Sequence, residues 1–394
     1  MTDLEPSRSI PPGPAADRPL RVLQVVQRFF PELGGLETHV AEVSRRLDAR
    51  PDIAITVLTT DRSGELPRAD TIDGYPVVRR RSWPRERDYY LSPGIAKVIA
   101  RGDWDVIHLQ GVHTFTPPVG MLAALAGRVP YVLTFHSGGH SSAGRDRIRG
   151  TQWKVLAPML SRAGQLIAVS RFERRRFAAA TGIDPSRFVV IQNGGALPPV
   201  VGDVPVVPGR FLSSGRLEQY KGHHLAIQAL PRVRRQIPDA HLVILGRGPY
   251  EQQLRDLAAE CDVTELVTFR HVPPDDRSAM ARELAQAQLM VALSQYEAHP
   301  VAIMEAVASG LPVLGFDIAG TGDLVEDGLV DGLEPDVGPE PIANAIVARL
   351  QADRDRPRVR PDYTLPTWET CADQLAQVYH RVAAQRVGRS GAAA

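Results

Sequence analysis

Short apolar runs alternating with amphipathic stretches organise this chain. Arg21 to Gln27 reads as a first buried strand, and Ile53 to Thr59, Tyr75 to Val78, Val106 to Leu109, Tyr131 to Phe135, Gln165 to Val169 and Phe188 to Ile191 follow it. Between them lie helical patterns such as Leu36, Val40, Val43 and Leu47, apolar at every third or fourth position. This alternation predicts a parallel sheet wrapped by helices. It breaks at Ala196 to Gly209, which carries four prolines and little periodicity, and then restarts. A short strand before Ser213 is followed by His241 to Leu245, Leu266 to Phe269, Leu289 to Leu293 and Pro312 to Phe316. The expectation is two similar α/β halves, residues 20–196 and 210–366, joined by a linker at 197–209, with a ligand cleft between them. Residues 1–19, Pro-rich with Asp3, Glu5 and Asp17, read as a disordered tail.

Composition narrows the function classes. At 394 residues and 43 % hydrophobic content the chain can build two cores. Lys+Arg of 46 against Asp+Glu of 45 gives no global bias toward nucleic acid or membrane, and no nucleic-acid partner is expected. Cys261 and Cys371 lie far apart, in neither a metal nor a disulfide spacing, which fits a reducing cytoplasm. No run of 18 apolar residues occurs, and the N-terminus lacks the apolar core of a signal peptide.

The candidate chemistry sits at strand ends. Ser213 to Gly222 (SSGRLEQYKG) follows a strand and opens a helix marked by Ala226, Leu230, Val233 and Ile237. Arg216 and Lys221 thus stand at a strand-to-helix turn, where α/β proteins place anionic ligands and where two cations can hold a diphosphate. Lys221 is one of only three lysines, with Lys97 and Lys154, so a compact point charge is singled out. Gly34 and Gly35 fall at a helix N-terminus, where backbone can approach a phosphate. His136, in Thr134-Phe135-His136-Ser137-Gly138-Gly139-His140, ends a strand and faces the cleft, whereas His108 and His113 read as structural or rim residues. In Glu297-Ala298-His299-Pro300-Val301-Ala302-Ile303-Met304-Glu305, Pro300 suits a first helical position. Glu297 then lies at the helix mouth and Glu305 a turn inside, where the two carboxylates can accept from separate hydroxyls of one elongated ligand. Gly320-Thr321-Gly322-Asp323 reads as another glycine-rich turn. The basic runs Arg79-Arg80-Arg81 with Arg85 and Arg87, and Arg171 with Arg174 to Arg176, read as solvated faces, with an anionic lipid or phosphorylated acceptor as the functional alternative.

Together, Gly34-Gly35-Leu36-Glu37, Thr134-Phe135-His136, Ser214-Gly215-Arg216 with Lys221-Gly222, Glu297 with Glu305, and Ser309-Gly310-Leu311-Pro312-Val313 resemble the family-4 type of retaining glycosyltransferases, in order from about residue 20 to residue 385. The resemblance implies a GT-B fold: two Rossmann-like parallel-sheet domains facing a central cleft, with a C-terminal helix, residues 367–388, crossing back to the first. It implies a cytoplasmic enzyme moving a hexose from a UDP- or GDP-linked donor to a hydroxyl acceptor, with retention of configuration and without metal or cofactor. By the same resemblance Arg216 and Lys221 neutralise the leaving diphosphate. Glu297 faces the transferred sugar, Glu305 binds the ribose, and His136 lies near the donor sugar. Gly34 and Gly35 approach the diphosphate or the acceptor, and Val301 and Ala302 supply helix N-terminal donors.

Departures from the family pattern are Asn193-Gly194-Gly195-Ala196 without the usual Asp, His271 where Gly is usual near the base, and His299 where Phe is common. The arginine clusters hint at an anionic or lipid-linked acceptor and at contact with the inner face of the membrane. The rival readings are a GT-B sugar-nucleotide epimerase, for which no added acid/base set stands out, and a non-catalytic GT-B subunit.

Overall fold

Leu23 and Val25 of the first strand enter one buried core while Val22 and the following Val26 enter another. A strand apolar on both faces has to be covered on both, as parallel sheets are. The computed structural model describes residues 18–32, 34–85, 91–112, 114–137, 144–273, 276–352 and 364–391. Most of the expected tail, Arg87, His113 and Gly138 to His140 lie outside the described residues.

The first half comprises β1 (Leu20–Val25), α1 (Gly35–Asp48), β2 (Ile53–Asp61), β3 (Ala69–Ile72), β4 (Tyr75–Arg81), α2 (Pro93–Arg101), β5 (Val106–Gln110), α3 (Thr116–Ala126), β6 (Tyr131–Thr134), α4 (Gly144–Leu160), β7 (Gln165–Ala168), α5 (Arg171–Thr181) and β8 (Phe188–Val190). Among the described residues these strands form an eight-stranded sheet in the order β3-β4-β2-β1-β5-β6-β7-β8, parallel except where β3 meets β4. The second half comprises β9 (Arg210–Ser214), α6 (His223–Gln236), β10 (His241–Leu245), α7 (Glu251–Glu260), β11 (Val267–Arg270), α8 (Arg277–Gln286), β12 (Leu289–Ala292), α9 (Val301–Ala308), β13 (Val313–Phe316), α10 (Ala319–Glu326), β14 (Asp331–Leu333) and α11 (Pro339–Ala352). Its described strands form a parallel six-stranded sheet ordered β11-β10-β9-β12-β13-β14.

In both sheets the order reverses beside the first strand, between β1 and β5 and between β9 and β12. Crevices at such switch points, beyond the carboxyl ends of the strands, are where open α/β sheets bind ligands. The loops after β1, β9 and β12 carry Gly34-Gly35, Arg216 with Lys221, and Glu297.

The last helix, α12 (Trp368–Gly391), returns to the first half. Trp368, Leu375, Tyr379 and Val382 share a core with Val22, Val26, Val40 and Val43, and Arg46 and Arg50 pair with Glu369 and Asp373, each at 2.6 Å. Glycines make room for this return. A Cβ on Gly194 would lie 2.3 Å from the Trp368 backbone nitrogen, and one on Gly195 2.4 Å from Met304 Cβ. The Asn193-Gly194-Gly195 departure thus lies where the chain squeezes between α9 and the start of α12.

Several sequence expectations are corrected. Gly320 to Asp323 are not a turn but lie within α10. Pro300 is the N-cap of α9 rather than its first residue. Arg79 is buried, 3.0 Å from Asp70, not solvated. Arg171 and Arg175 fasten α5 to α10. Asp323, almost fully buried, accepts from the Phe172 N–H at 2.8 Å and from Arg175 at 3.1 Å, and Arg171 donates to the Asp323 carbonyl at 2.7 Å. Two of the supposed lipid contacts therefore join the two halves.

Candidate active site

The turn after β9 is built around a lysine. Gly222, at φ 73°, ends the short turn Gln219 to Lys221 and starts α6. A Cβ on Gly222 would lie 2.0 Å from the Leu293 carbonyl oxygen, so only glycine lets this loop close onto the end of β12. That closure brings Lys221 Nζ 2.6 Å from Glu297 Oε1, with both side chains largely shielded from water. Burial pulls the Lys221 ammonium down, but Glu297 and Tyr220 outweigh it and the net shift is upward, so Lys221 stays charged at neutral pH. Arg216 is more exposed and lies 3.0 Å from Glu218.

His223, the first residue of α6, holds this loop from behind. Its Nδ1 lies 2.8 Å from Ser213 Oγ and its Nε2 3.2 Å from the Arg216 carbonyl oxygen. Burial lowers its pKa to about 4. The neutral ring can donate to that carbonyl from Nε2 while Nδ1 accepts from the serine hydroxyl.

Glu305 lies inside α9 and takes a charge-assisted hydrogen bond from Arg277 at the start of α8. Burial pushes its carboxyl up, with Arg277 pulling the other way. Val301 and Ala302 are the first two residues of α9, and their N–H groups are among the four that a helix N-terminus leaves without an intrahelical partner. Gly320 fixes the Glu297 loop. Its N–H donates to the Glu297 carbonyl at 2.7 Å, and a Cβ there would come within 1.8 Å of the Ala298 carbonyl oxygen.

Opposite stands the first half. Gly34 caps α1 in an extended conformation, and a Cβ on it would lie 2.8 Å from Glu37 Oε2. Burial pushes the Glu37 carboxyl up, while its own backbone, Arg28 and then Arg216 pull it down. Glu37 in the first half thus feels a cation of the second, and the two loops face each other.

His136 follows β6 at φ 43°, a conformation uncommon outside glycine, with its ring 4.6 Å from that of His39. His299 is buried, and among the described residues its ring nitrogens meet no hydrogen-bond partner. Burial holds His39 at about 4 and His299 at about 3. The unfolded chain binds these protons near pH 6.5, so each ring contributes stability that is complete above pH 6.5 and lost as the pH falls toward 4. His299→Phe keeps an aromatic ring and removes the unpartnered nitrogens. It is expected to flatten the pH dependence of the urea midpoint between pH 6.5 and 4, raising stability at pH 5 by about 2 kcal/mol over the parent. An unchanged slope contradicts this.

Residues 33–195 match the family model of Glycosyltransferase Family 4, and residues 205–359 that of Glycosyl transferases group 1. Over 305 residues, 75 % of this chain and 78 % of the relative, the chain is 30 % identical to a GDP-mannose:cellobiosyl-diphosphopolyprenol alpha-mannosyltransferase of Xanthomonas oryzae pv. oryzae. The chain belongs to the family 4 type of group 1 glycosyltransferases. A phosphatidyl-myo-inositol mannosyltransferase of Mycobacterium leprae is 28 % identical over 381 residues, 92 % of this chain and 97 % of that one. Among solved structures, sucrose-phosphate synthase from Thermosynechococcus elongatus superposes with a TM-score of 0.72 at 19 % identity, covering 93 % of this chain and all (100 %) of that one. HepE of Anabaena in complex with UDP and glucose gives 0.65 at 20 % identity, covering 95 % and 100 %. The facing parallel sheets with their crossing helix are the GT-B fold that the motifs implied.

In this glycosyltransferase the expected residues do not all converge. Arg216, Lys221, Glu297, Val301, Ala302 and Glu305 ring the ends of β9 and β12, while Gly34, Gly35, His136 and His299 lie toward the facing half. His271 stands apart, exposed after the edge strand β11, two strands from β9. Sequence reading passed over His223, Arg277 and a role for Glu37. Glu37 was visible in the motif that follows the paired glycines and His223 partners residues of its own turn, Ser213 and Arg216, but the partner of Arg277 comes from another segment.

Proposed function

We propose that this glycosyltransferase moves mannose from GDP-mannose to a hydroxyl of a lipid-linked, anionic acceptor, with retention at the anomeric carbon. The Lys221–Glu297 pair carries the proposal: it sets a permanent cation beside a carboxylate at the switch-point crevice, one to meet a departing diphosphate and the other to face the sugar losing it. In this reading Arg216 and the N-terminus of α9 share the diphosphate charge, and Glu305, oriented by Arg277, accepts from the ribose hydroxyls. Gly34 and Gly35 let the acceptor side approach closely, and the phosphate oxygen leaving on the same face takes the acceptor's proton. We place the donor domain at 210–366, the acceptor domain at 20–196, the linker at 197–209, and the crossing helix at 367–388.

The choice of GDP-mannose rests on the names of the relatives, which also specify a diphosphopolyprenol-linked glycan and phosphatidyl-myo-inositol as acceptors. Arg28 and Arg62 line a hollow with Phe29, Glu32, Thr60 and Asp61 beside the first-half loop, where a phosphorylated acceptor would have to compete with Glu32, 3.2 Å from Arg62. Peripheral contact with the inner membrane face fits the exposed Trp83 and Leu91 near Arg81 and Arg85. Among the described residues no helix is long and apolar enough to cross a membrane.

The test is proton NMR of the product formed from GDP-mannose and a diphosphopolyprenol-linked acceptor in anionic vesicles. An α-linked product is expected. A β-linkage rejects retention, and turnover of UDP-sugars alone rejects the donor.

A further inference from the structure

A buried line of side chains runs from His136 away from the cleft to the crossing helix. His136 Nε2 lies 2.9 Å from Gln110 Oε1. Gln110 Nε2 donates to Gln24 Oε1 at 2.7 Å, and Gln24 Nε2 donates to the Tyr379 hydroxyl at 2.9 Å. That hydroxyl is 2.7 Å from His108 Nδ1, and His108 Nε2 is 2.7 Å from Thr134 Oγ1. Gln24, Gln110, His108, Thr134 and Tyr379 are at most 2 % exposed, whereas His136 is partly exposed and forms the open end.

Such a line is polar. A carboxamide has one accepting and one donating end, and both ends of Gln24 and Gln110 are used, so the direction of any one bond sets all the others. The bond between Tyr379 and His108 decides it. A phenol is a better donor than an imidazole N–H, and an imidazole nitrogen a better acceptor than a phenol oxygen. A separation of 2.7 Å also lies at the short end for N–H···O. Gln110 Nε2 adds a second, longer approach to the same nitrogen, at 3.3 Å. With Tyr379 donating to His108 Nδ1, its oxygen accepts from Gln24, Gln24 accepts from Gln110, and the Gln110 carbonyl faces His136.

We propose that Gln110 is a positioning residue for glycosyl transfer: backed by Gln24 and Tyr379, it fixes His136 in the Nε2–H tautomer, so that Nδ1 is presented as an acceptor to a sugar hydroxyl. The ring remains neutral because burial, and after it His39 of α1, His108 of β5 and His299 before α9, hold its pKa well below the usual range. This assignment rests on the nucleotide-sugar reading of the cleft. The line also couples the crossing helix to the site through one hydroxyl.

The experiment uses the full chain labelled with 15N-histidine, with the His136 signals assigned by their loss in His136→Gln. Long-range 15N–1H correlation is expected to show a protonated Nε2 and a bare Nδ1 in the parent. Gln110→Leu is expected to give a mixture of tautomers and to lower kcat about tenfold or more, with the donor KM little changed, as misplacement of a contact group does. Tyr379→Phe keeps the packed ring and removes the hydroxyl that sets the direction, so it should loosen the same preference from the far end even if Gln110→Leu does not fold. A protonated Nδ1 in the parent overturns the proposal, as does a tautomer unmoved in both variants. If no nucleotide sugar is turned over by the parent, the functional reading fails, while the tautomer result still decides the polarity of the line.

Discussion

Lys221→Ala is expected to lower kcat/KM by a factor of about 10³ and to weaken binding of a nucleoside diphosphate in a chain that remains folded. The physical reason is the placement of the ammonium, shielded and held by Glu297 at 2.6 Å, in a crevice where charge on a leaving diphosphate would otherwise be poorly solvated. Removing one fixed donor to developing charge typically costs about 3–4 kcal/mol, which is the factor expected here. Folding suffers less. Glu297 retains some access to water, so the loss should be about 2 kcal/mol, below that of breaking a fully buried pair. Initial rates and far-UV circular dichroism check both halves of this statement. A folded variant with parental rates would remove Lys221 from the chemistry.

Glu297→Gln is expected to act with opposite signs on binding and turnover. Glutamine keeps the shape and an acceptor oxygen for Lys221 but removes the charge that competes with an incoming diphosphate for the same ammonium. Nucleoside diphosphate should therefore bind several-fold more tightly, while turnover falls by about 10²–10³ because the carboxylate no longer faces positive charge developing at the anomeric carbon. Calorimetry and steady-state rates separate the two effects. A parallel loss of both would mean that Glu297 only maintains the loop.

The parallel strands were legible in the sequence because burial on both faces leaves near-continuous apolar runs, as in β10 (HLVIL), whose expected bounds match. Two edge strands were not: β3 (ADTI) is almost fully exposed, and β14 (DGL) is three residues long, whereas the edge strands β8 and β11 kept enough apolar residues to be read. The glycines of α10 misled because glycine signals both turns and close approach, and at Gly320 the second applies, with the Ala298 carbonyl in the way of any Cβ. Strand-end motifs placed Arg216, Lys221 and Glu297 in the loops at the mouths of their elements and Glu305 a turn inside α9, since such positions follow from local order. What holds them was hidden. Arg277 and Gln110 carry no local mark, and their partners are set only when separate segments meet, whereas His223 bonds within its own turn and was missed because nothing in the motif distinguishes a supporting ring from a solvated one. His108 was read as a structural or rim residue, and it is a fully buried link between Thr134 and Tyr379.

The central claim is that this crevice takes a nucleotide sugar through Lys221. Its most direct test is calorimetric titration of the parent and of Lys221→Ala with GDP-mannose, GDP and UDP in the presence of a chelator. GDP-mannose and GDP are expected to bind the parent, UDP to bind more weakly, and Lys221→Ala to lose at least tenfold in affinity for both guanine ligands. Equal affinity in the two proteins, or no binding of any nucleotide to the parent, would contradict it.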